Sequence, residues 1–314
     1  MNLAQIAASR LLFVTGKGGV GKTSFSAALG SLSAAAGKKT LIVEIDNFHP
    51  SLTSIFGVAP QFTPTLVSEN LSICNLSWEE SLRDWLGRTV PVKRIAKLIQ
   101  KHKIAMLFLD ATPGAREIVI LSVILELLKD WDQVIVDLPA SGHALGFLRV
   151  PQTALRLMRT GPIHELAKQV LSTFSHARTG LVLVALPEEM VVNETLEFLD
   201  KIRSQVPQIA SLAVVLNRAS PPSLSKEECQ LLRELEKTVG ISEEGKELLL
   251  AGRWEEDLES ATSDALHRLG EALNQNIPFF PRLGSLGGFS GGVDKIIRQM
   301  QSSIDRQIRT EVSG

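Results

Sequence analysis

The stretch T-G-K-G-G-V-G-K-T-S, Thr15 to Ser24, follows an apolar run at residues 11–14 that is typical of a buried strand. The spacing G-x-x-x-x-G-K-[ST] of a phosphate-binding loop is met by Gly16, Gly21, Lys22 and Thr23. Glycines permit the backbone angles at which successive amide N–H groups turn toward an anion. Residues 24–36 are helix-like, and the N-terminus of a helix attracts phosphate. The stretch therefore predicts a strand, a nucleotide-binding loop and a helix.

The loop also predicts where phosphate and metal bind. In loops of this kind the lysine places its charge near the β- and γ-phosphates, and the hydroxyl of the next residue ligates Mg²⁺. Lys22 and Thr23 occupy these two positions. The candidate nucleotide-binding residues of the loop are Gly16, Lys17, Gly18, Gly19, Val20, Gly21, Lys22, Thr23 and Ser24.

Composition narrows the class of protein. Of 314 residues, 44% are hydrophobic and 21% are charged, so we expect a soluble globular chain with a large core. The net charge of −1 argues against a dedicated nucleic-acid binder. Cys74 and Cys229 cannot build a disulfide framework, and residues 1–10 lack the basic and apolar segments of a signal peptide. We therefore expect a cytoplasmic protein.

Strand-like and helix-like segments alternate along the chain, which predicts a doubly wound, mostly parallel α/β sheet in one domain, residues 1–314. The predicted strands are residues 11–15, 40–45, 71–76, 133–137, 180–186, 212–217 and 277–280. The predicted helices are residues 25–36, 189–206, 226–250 and 256–274. Insertions at about 77–130 and 146–177 read as helix without strand, so we expect an inserted helical subdomain there, where a partner could bind.

Acidic residues end two of the predicted strands, at the sheet edge where α/β proteins hold ligands. Asp46 follows strand 40–45 and could orient the water that attacks the γ-phosphate, hold Mg²⁺ through water, or simply cap the next turn. His49 could sense the nucleotide or be an ordinary loop residue. Asp137 ends the apolar strand 133–137, which is the Walker B arrangement for Mg²⁺.

Several motifs together resemble one family. Lys17 after the first glycine resembles the deviant Walker A motif of the MinD, ParA, nitrogenase iron protein and ArsA ATPases. Residues 137–151, D-L-P-A-S-G-H-A-L-G-F-L-R-V-P, resemble the switch II signature of the ArsA and Get-pathway (tail-anchored-protein targeting) ATPases. Residues 111–117 and 185–195 are similar to further stretches of bacterial ArsA-like proteins. The resemblance covers nearly the whole chain.

The resemblance implies a P-loop fold of the SIMIBI class and an Mg²⁺-dependent ATPase with ATP at a dimer seam. It implies that Lys17 crosses the seam, that Lys22 and Asp46 serve catalysis, and that the metal site comprises Thr23, Asp46 and Asp137. Gly142 and His143 match the switch II segment. Asn217 matches the residue that recognises adenine, and Pro278 and Phe279 match the adenine-side loop.

Departures from the family pattern limit what carries over. Asn47 and Phe48 replace the Pro-Ala of switch I, which leaves the loop's dynamics open. The chain has no C-x-x-C pair, so we expect no structural zinc. Arsenite-pump ATPases bind metalloid through three thiols, and two cysteines cannot supply three. We therefore do not expect arsenite activation.

The biological role is predicted only as alternatives. The first is handling of a hydrophobic or membrane-protein client by a homodimer. The others are a MinD/ParA-like regulator that cycles on a membrane, and a subunit of a heterodimer with a related ATPase. Residues 93–103 form a basic segment, and Val293, Ile297, Met300, Ile304 and Ile308 recur at helical spacing. Each segment could contact the inner face of a membrane transiently or pack against the protein body.

Overall fold

The computed structural model describes residues 1–47, 49–89, 114–223, 225–235 and 242–282, and six residues beyond them: Arg298, Met300, Gln301, Ser302, Ile304 and Gln307. The basic segment 93–103 lies outside the described residues. So do Phe48, residues 111–113 of one family motif, and Val293, Ile297 and Ile308 of the C-terminal segment. Within the described ranges, no helix combines the length and the apolar character that crossing a lipid bilayer requires.

A single sheet of eight strands runs through the described part of the chain, in the order β3-β4-β2-β5-β1-β6-β7-β8. The strands are β1 Leu11–Thr15, β2 Thr40–Ile45, β3 Thr65–Ser68, β4 Leu71–Leu76, β5 Gln133–Asp137, β6 Thr179–Ala185, β7 Ser211–Ala219 and β8 Phe279–Pro281. Only β3 and β4 pair antiparallel; the other neighbours are parallel. The predicted mostly parallel α/β fold is confirmed.

Helices cover the sheet. They are α1 Leu3–Ala8, α2 Lys22–Ala35, α3 Ser51–Phe56, α4 Trp78–Thr89, α5 Ala115–Leu127, α6 Ser141–Leu157, α7 Pro162–Phe174, α8 Glu189–Gln205, α9 Lys226–Leu235 and α10 Glu243–Leu273. Every residue of β1, β5 and β6 is buried, as expected for parallel strands covered on both faces. The loops that follow β1, β2, β5 and β7 therefore open at one edge of the sheet.

Two local features differ from the sequence prediction. The antiparallel edge strand β3 was not predicted, because its four residues alternate weakly between half-buried and exposed. The sequence predicts separate helices that end at residue 250 and begin at residue 256, whereas α10 runs through residues 251–255 without interruption. Gly252 lies in this stretch, and a Cβ built there would come within 2.9 Å of Leu232 Cδ1 on α9. Because Gly252 has no side chain, Leu232 on α9 can pack closely against α10 at this point.

Four helices lie together where the sequence predicts an inserted subdomain. α5 packs against α4, α6 and α7, and α6 packs against α7. Arg88 on α4 joins two of them, because its guanidinium lies 3.3 Å from Glu126 Oε1 and donates to Ser122 Oγ on α5. Residues 90–113, between α4 and α5, are not described. The predicted subdomain as a unit therefore stays a prediction.

Candidate nucleotide site

Two glycines shape the loop between β1 and α2. Gly16 has φ 150°, and a Cβ built on it would lie 2.2 Å from the backbone oxygen of Val184. Gly21 caps α2 with φ 96°, and a Cβ there would lie 2.5 Å from Asn217 Nδ2. Any larger residue at either position would collide with a neighbour and strain the backbone. Glycine at both positions thus lets the loop approach β6 and Asn217 closely.

Lys22, Thr23 and Asp137 meet where this loop enters α2. The Thr23 hydroxyl donates to Asp137 Oδ2 at 2.5 Å, and Ser26 Oγ lies 3.5 Å from Asp137 Oδ1. Lys22 Nζ donates to the carbonyl oxygen of Lys17 at 3.1 Å. Burial lowers the pKa of Lys22, and the charge of Asp137 partly offsets that effect. A lysine, a hydroxyl and a carboxyl group thus line the start of a helix.

Asp137 is a carboxyl group nearly removed from water. It is 8% exposed, and burial raises its pKa to about 7. The hydrogen bond from Thr23 lowers the pKa, whereas the nearby Glu44 carboxylate raises it further. A divalent cation at this point would favour the ionised carboxylate. Because Mg²⁺ prefers oxygen ligands, the Thr23 hydroxyl and Asp137 carboxyl fit a magnesium site, with one oxygen from α2 and one from β5.

Hydrogen bonds join the phosphate-binding loop to the segment after β5. The Thr15 hydroxyl donates to the Pro139 carbonyl oxygen at 2.8 Å, and the Ser141 amide donates to the Gly16 carbonyl oxygen at 3.2 Å. The segment that carries the predicted switch II residues is thus attached directly to the loop. These two hydrogen bonds hold the segment after β5 against the start of the loop.

The predicted switch residues lie on the exposed side of this site. Gly142 and His143 occupy the first turn of α6, and both are exposed. His49 is exposed as well, and its amide donates to Asn47 Oδ1 at 3.1 Å. The imidazoles of His49 and His143 are therefore open to a ligand or to another chain.

Asp46 leaves the end of β2 with φ 46°, a left-handed conformation that is uncommon for residues other than glycine. Its amide donates to the Leu76 carbonyl oxygen at 3.0 Å, which continues the pairing of β2 with β4. Its carboxylate is exposed, and Oδ1 lies 3.5 Å from the amide nitrogen of Trp78. The backbone thus turns Asp46 away from the strand at the edge that also carries the phosphate-binding loop.

Glu44 is a buried acid to which the sequence analysis gave no role. It is 2% exposed, and its Oε1 accepts from the Ser51 amide at 2.8 Å and from Asn47 Nδ2 at 3.2 Å. Burial raises its pKa, and the neighbouring amides of Ser51 and Leu52 and the Asn47 side chain partly offset the rise. The sequence does contain a feature that could mark Glu44, since it is the one acid within the apolar run of β2.

The residues predicted to recognise adenine lie on the other side of the loop. Asn217 Nδ2 donates to the Val20 carbonyl oxygen at 2.8 Å, so the end of β7 is fixed to the phosphate-binding loop. The Leu216 amide donates to the Pro278 carbonyl oxygen at 2.9 Å, which places Pro278 and the half-buried Phe279 beside β7. The three predicted residues therefore share one edge of the sheet with the loop.

Lys17 has a partner within its own chain. Its Nζ lies 2.9 Å from Glu194 Oε2 on α8, and the two side chains are 38% and 48% exposed. Glu194 belongs to the family-like stretch 185–195, but the sequence analysis gave it no role. The pair lies at the surface, so water and salt weaken it and Lys17 can leave it at small cost.

The two cysteines are not arranged as a thiolate site. Cys74 is buried in β4, where burial and then the charge of Glu44 raise the pKa of its thiol. Cys229 is on α9, after β7. A thiol with a raised pKa is a poor ligand, because the thiolate is the form that binds metals.

Comparisons of sequence identify relatives of this chain. The sequence model of a family described as anion-transporting ATPase matches residues 9–176, more than half of the chain. ATPase BagA of Mycobacterium tuberculosis is 27% identical, over 79% of this chain and 76% of its own. A protein of Aquifex aeolicus named as an arsenical pump-driving ATPase is 25% identical, over 73% and 86%. ATPase get3 of Botryotinia fuckeliana is 25% identical, over 64% and 58%.

Proposed function

The chain belongs to the anion-transporting ATPase family and is an ATPase, and we propose that it hydrolyses ATP with Mg²⁺ at the carboxyl edge of its sheet. One observation carries this proposal. The Thr23 hydroxyl, which follows the loop lysine, contacts the Asp137 carboxyl at the end of a neighbouring strand at 2.5 Å. A hydroxyl and an acid in that relationship to a phosphate-binding loop would hold Mg²⁺, which would offset the charge of the phosphates.

Each residue has a role in the proposed reaction. The loop amides and Lys22 bind the phosphates, and Asn217, Pro278 and Phe279 hold the adenine. Thr23 and Asp137 hold Mg²⁺, which when bound neutralises charge on the phosphates. Asp46 orients the attacking water, and its exposed carboxylate at the same edge supports that role. Catalysis of this kind depends on positioning and on charge stabilisation.

Hydrolysis takes place at a dimer seam in this proposal. Lys17 leaves Glu194 and contacts the phosphates bound by a second subunit, which is another copy of this chain or a related ATPase subunit. The surface position of the Lys17–Glu194 pair supports the proposal, because a fully buried lysine could not cross an interface. Gly142, His143 and His49 are exposed, and in this proposal they face the same seam.

The nucleotide cycle is proposed to move the helices that cover this part of the sheet. The loop is hydrogen-bonded to residues 139 and 141, and α6 begins at Ser141 and packs on α5 and α7. A change at the γ-phosphate can therefore reach the helical layer through α6. We expect this layer, with the insertions at about 77–130 and 146–177, to bind a hydrophobic or membrane-protein client in one nucleotide state.

The reaction and the client role are tested separately. Purified chain should release phosphate from ATP with Mg²⁺ but not with EDTA, and Lys22→Ala should abolish release. For the client role, Asp46→Asn loaded with ATP should keep a synthetic transmembrane peptide in solution, whereas the ADP form should not. If the protein instead co-sediments with lipid vesicles only in the presence of ATP and does not bind the peptide, the result would favour the membrane-cycling regulator.

A further inference from the structure

Glu44 and Asp137 are carboxylates on adjacent strands at the edge that holds the nucleotide site. They are direct register partners in the parallel pairing of β2 with β5, so both side chains leave the same face of the sheet. The exposed fractions are 2% for Glu44 and 8% for Asp137. Two buried carboxylates on neighbouring strands repel each other when both are ionised, and a cation beside them would offset that repulsion.

One carboxylate oxygen of Glu44 accepts two hydrogen bonds, and the other accepts none from the described residues. Oε1 accepts from the Ser51 amide and from Asn47 Nδ2, which fixes the turn between β2 and α3. Oε2 is buried and has no hydrogen-bond partner among the residues that the structure describes. A buried carboxylate oxygen without a donor is costly, so it indicates a group that the described residues do not supply.

We propose that Glu44 is a positioning residue of the magnesium site, whose Oε2 accepts a hydrogen bond from water in the metal's outer shell. This inference rests on the proposed function, because it needs a metal between Thr23 and Asp137. A metal-bound water would give Glu44 Oε2 a hydrogen-bond donor, and the metal would place a cation beside the carboxylates of Glu44 and Asp137. Carboxylates in the outer shell of a metal site orient its ligands and raise its affinity.

The same side chain would connect metal binding with the turn that carries Asp46. Oε1 fixes Asn47 and Ser51, which flank His49, while Oε2 serves the metal site. A shift of the Glu44 carboxylate on metal binding would therefore move this turn. Glu44 acts through these neighbours and does not touch the nucleotide.

The substitution Glu44→Gln separates this role from a purely structural one. The amide keeps one oxygen as acceptor for Ser51 and Asn47, but it replaces Oε2 with an NH₂ group that can only donate. Glu44→Asp keeps the carboxylate with a shorter reach. Glu80→Gln is a matched control, because Glu80 is an exposed acid on α4 whose Oε2 already accepts from Ser77.

The readout is the ratio of dissociation constants for a fluorescent ADP analogue without and with Mg²⁺, with the nucleotide-free melting temperature as a check on folding. We expect Glu44→Gln to lower this ratio by about tenfold, the typical scale for a hydrogen bond to a charged group. Glu44→Asp should lie between Glu44→Gln and the parent, and so decides the matter if Glu44→Gln does not fold. Glu80→Gln should match the parent.

Thr23→Ala distinguishes the two levels of failure. If Thr23→Ala loses the Mg²⁺ effect but Glu44→Gln and Glu44→Asp keep it in full, Glu44 only holds the turn and this inference is wrong. If Thr23→Ala also keeps the effect, the magnesium site itself is misplaced, and the proposed function fails together with the inference.

Discussion

Lys17, the first of the two lysines of the phosphate-binding loop, forms an ion pair with Glu194 on α8 of its own chain, with 2.9 Å between Nζ and Oε2. Under the proposed function the same lysine serves the nucleotide of a second subunit. The pair therefore competes with dimer closure. Since it lies at the surface, its contribution to stability is about 1 kcal/mol or less.

Removing the competitor should favour the dimer. We predict that Glu194→Gln lowers the protein concentration needed for ATP-dependent dimerisation, by up to about 30-fold, because closure breaks one exposed ion pair in each of the two subunits and each pair contributes at most ~1 kcal/mol. Analytical ultracentrifugation with ATP measures this concentration. Glu197→Gln, which breaks the Glu197–Lys201 pair on the same helix, is the control and should change nothing. Weaker dimerisation of Glu194→Gln would mean that Glu194 stabilises the closed dimer.

Thr23→Ala tests the metal ligand. We predict that ATP hydrolysis by this variant needs far more Mg²⁺ and is slower, because the substitution removes the hydroxyl that also contacts Asp137. The measurement is phosphate release as a function of Mg²⁺ concentration at fixed ATP. Ser31→Ala, farther along α2, should behave like the parent. An unaltered Mg²⁺ dependence in Thr23→Ala would refute the assignment.

Asp46→Asn should separate binding from turnover. We predict nearly unchanged ATP affinity and a turnover lowered by ~10²-fold or more, since the change removes an oriented acceptor of the attacking water and no phosphate contact. Equilibrium binding and steady-state hydrolysis, measured on the same preparation, give the two quantities. Asp130→Asn, at an exposed acid after α5, is the control. An equal loss of affinity would make Asp46 a structural residue or a primary metal ligand.

Asp137 should make the stability of the metal-free protein depend on pH. Its pKa rises from 3.8 to about 7 on folding, mainly through burial. The folded protein therefore binds this proton more tightly than the unfolded chain does. Its contribution to the free energy of unfolding falls as pH rises from about 4 to about 7 and is constant above that range.

The substitution Asp137→Asn removes this penalty. We predict that the variant's melting temperature exceeds that of the parent by a margin that grows between pH 4 and pH 7. The growth should be about 5 °C or more, at ~1.4 kcal/mol per pKa unit and ~2 °C per kcal/mol. Calorimetry without Mg²⁺ or nucleotide measures this margin. A margin independent of pH would show that Asp137 is already ionised in the folded protein.

Much of the fold could be predicted from the sequence because local signals and tertiary packing agree. Buried parallel strands such as β1 and β5 are short apolar runs, and their predicted bounds match the structure. The sequence does not predict β3, because an edge strand with one exposed face has few apolar residues. The close approach of Leu232 to Gly252 joins residues of two different helices, and no local sequence pattern encodes it.

In the candidate site, too, some residues can be predicted from local sequence and others depend on distant contacts. Residues within one motif, such as Lys22 and Thr23, could be assigned from spacing alone. Glu44 and Glu194 could not, because their importance comes from partners far along the chain. Glu44 stands beside Asp137 only after β2 and β5 pair, and Glu194 meets Lys17 only after α8 packs over the sheet.

Under the proposed function, Lys17 acts on the nucleotide of the other subunit. Lys17→Ala should therefore fold and bind ATP, since Lys22 and the loop amides remain, but it should lose dimer closure and most hydrolysis. Trans-acting arginines in related nucleotidases contribute ~10³–10⁵ in rate, so we predict a loss of at least ~10²-fold. A Lys22→Ala subunit is inactive in its own site but still carries Lys17.

The decisive measurement is the ATPase rate of mixed dimers of Lys17→Ala and Lys22→Ala subunits, with dimer formation verified by differently labelled chains. The Lys22→Ala subunit should supply its Lys17 to the intact loop of the other subunit. We therefore predict that mixed dimers recover a substantial part of one site's activity, whereas neither variant alone is active. If mixed dimers form and close on ATP but remain as inactive as the separate variants, Lys17 acts within its own chain and the central claim is contradicted.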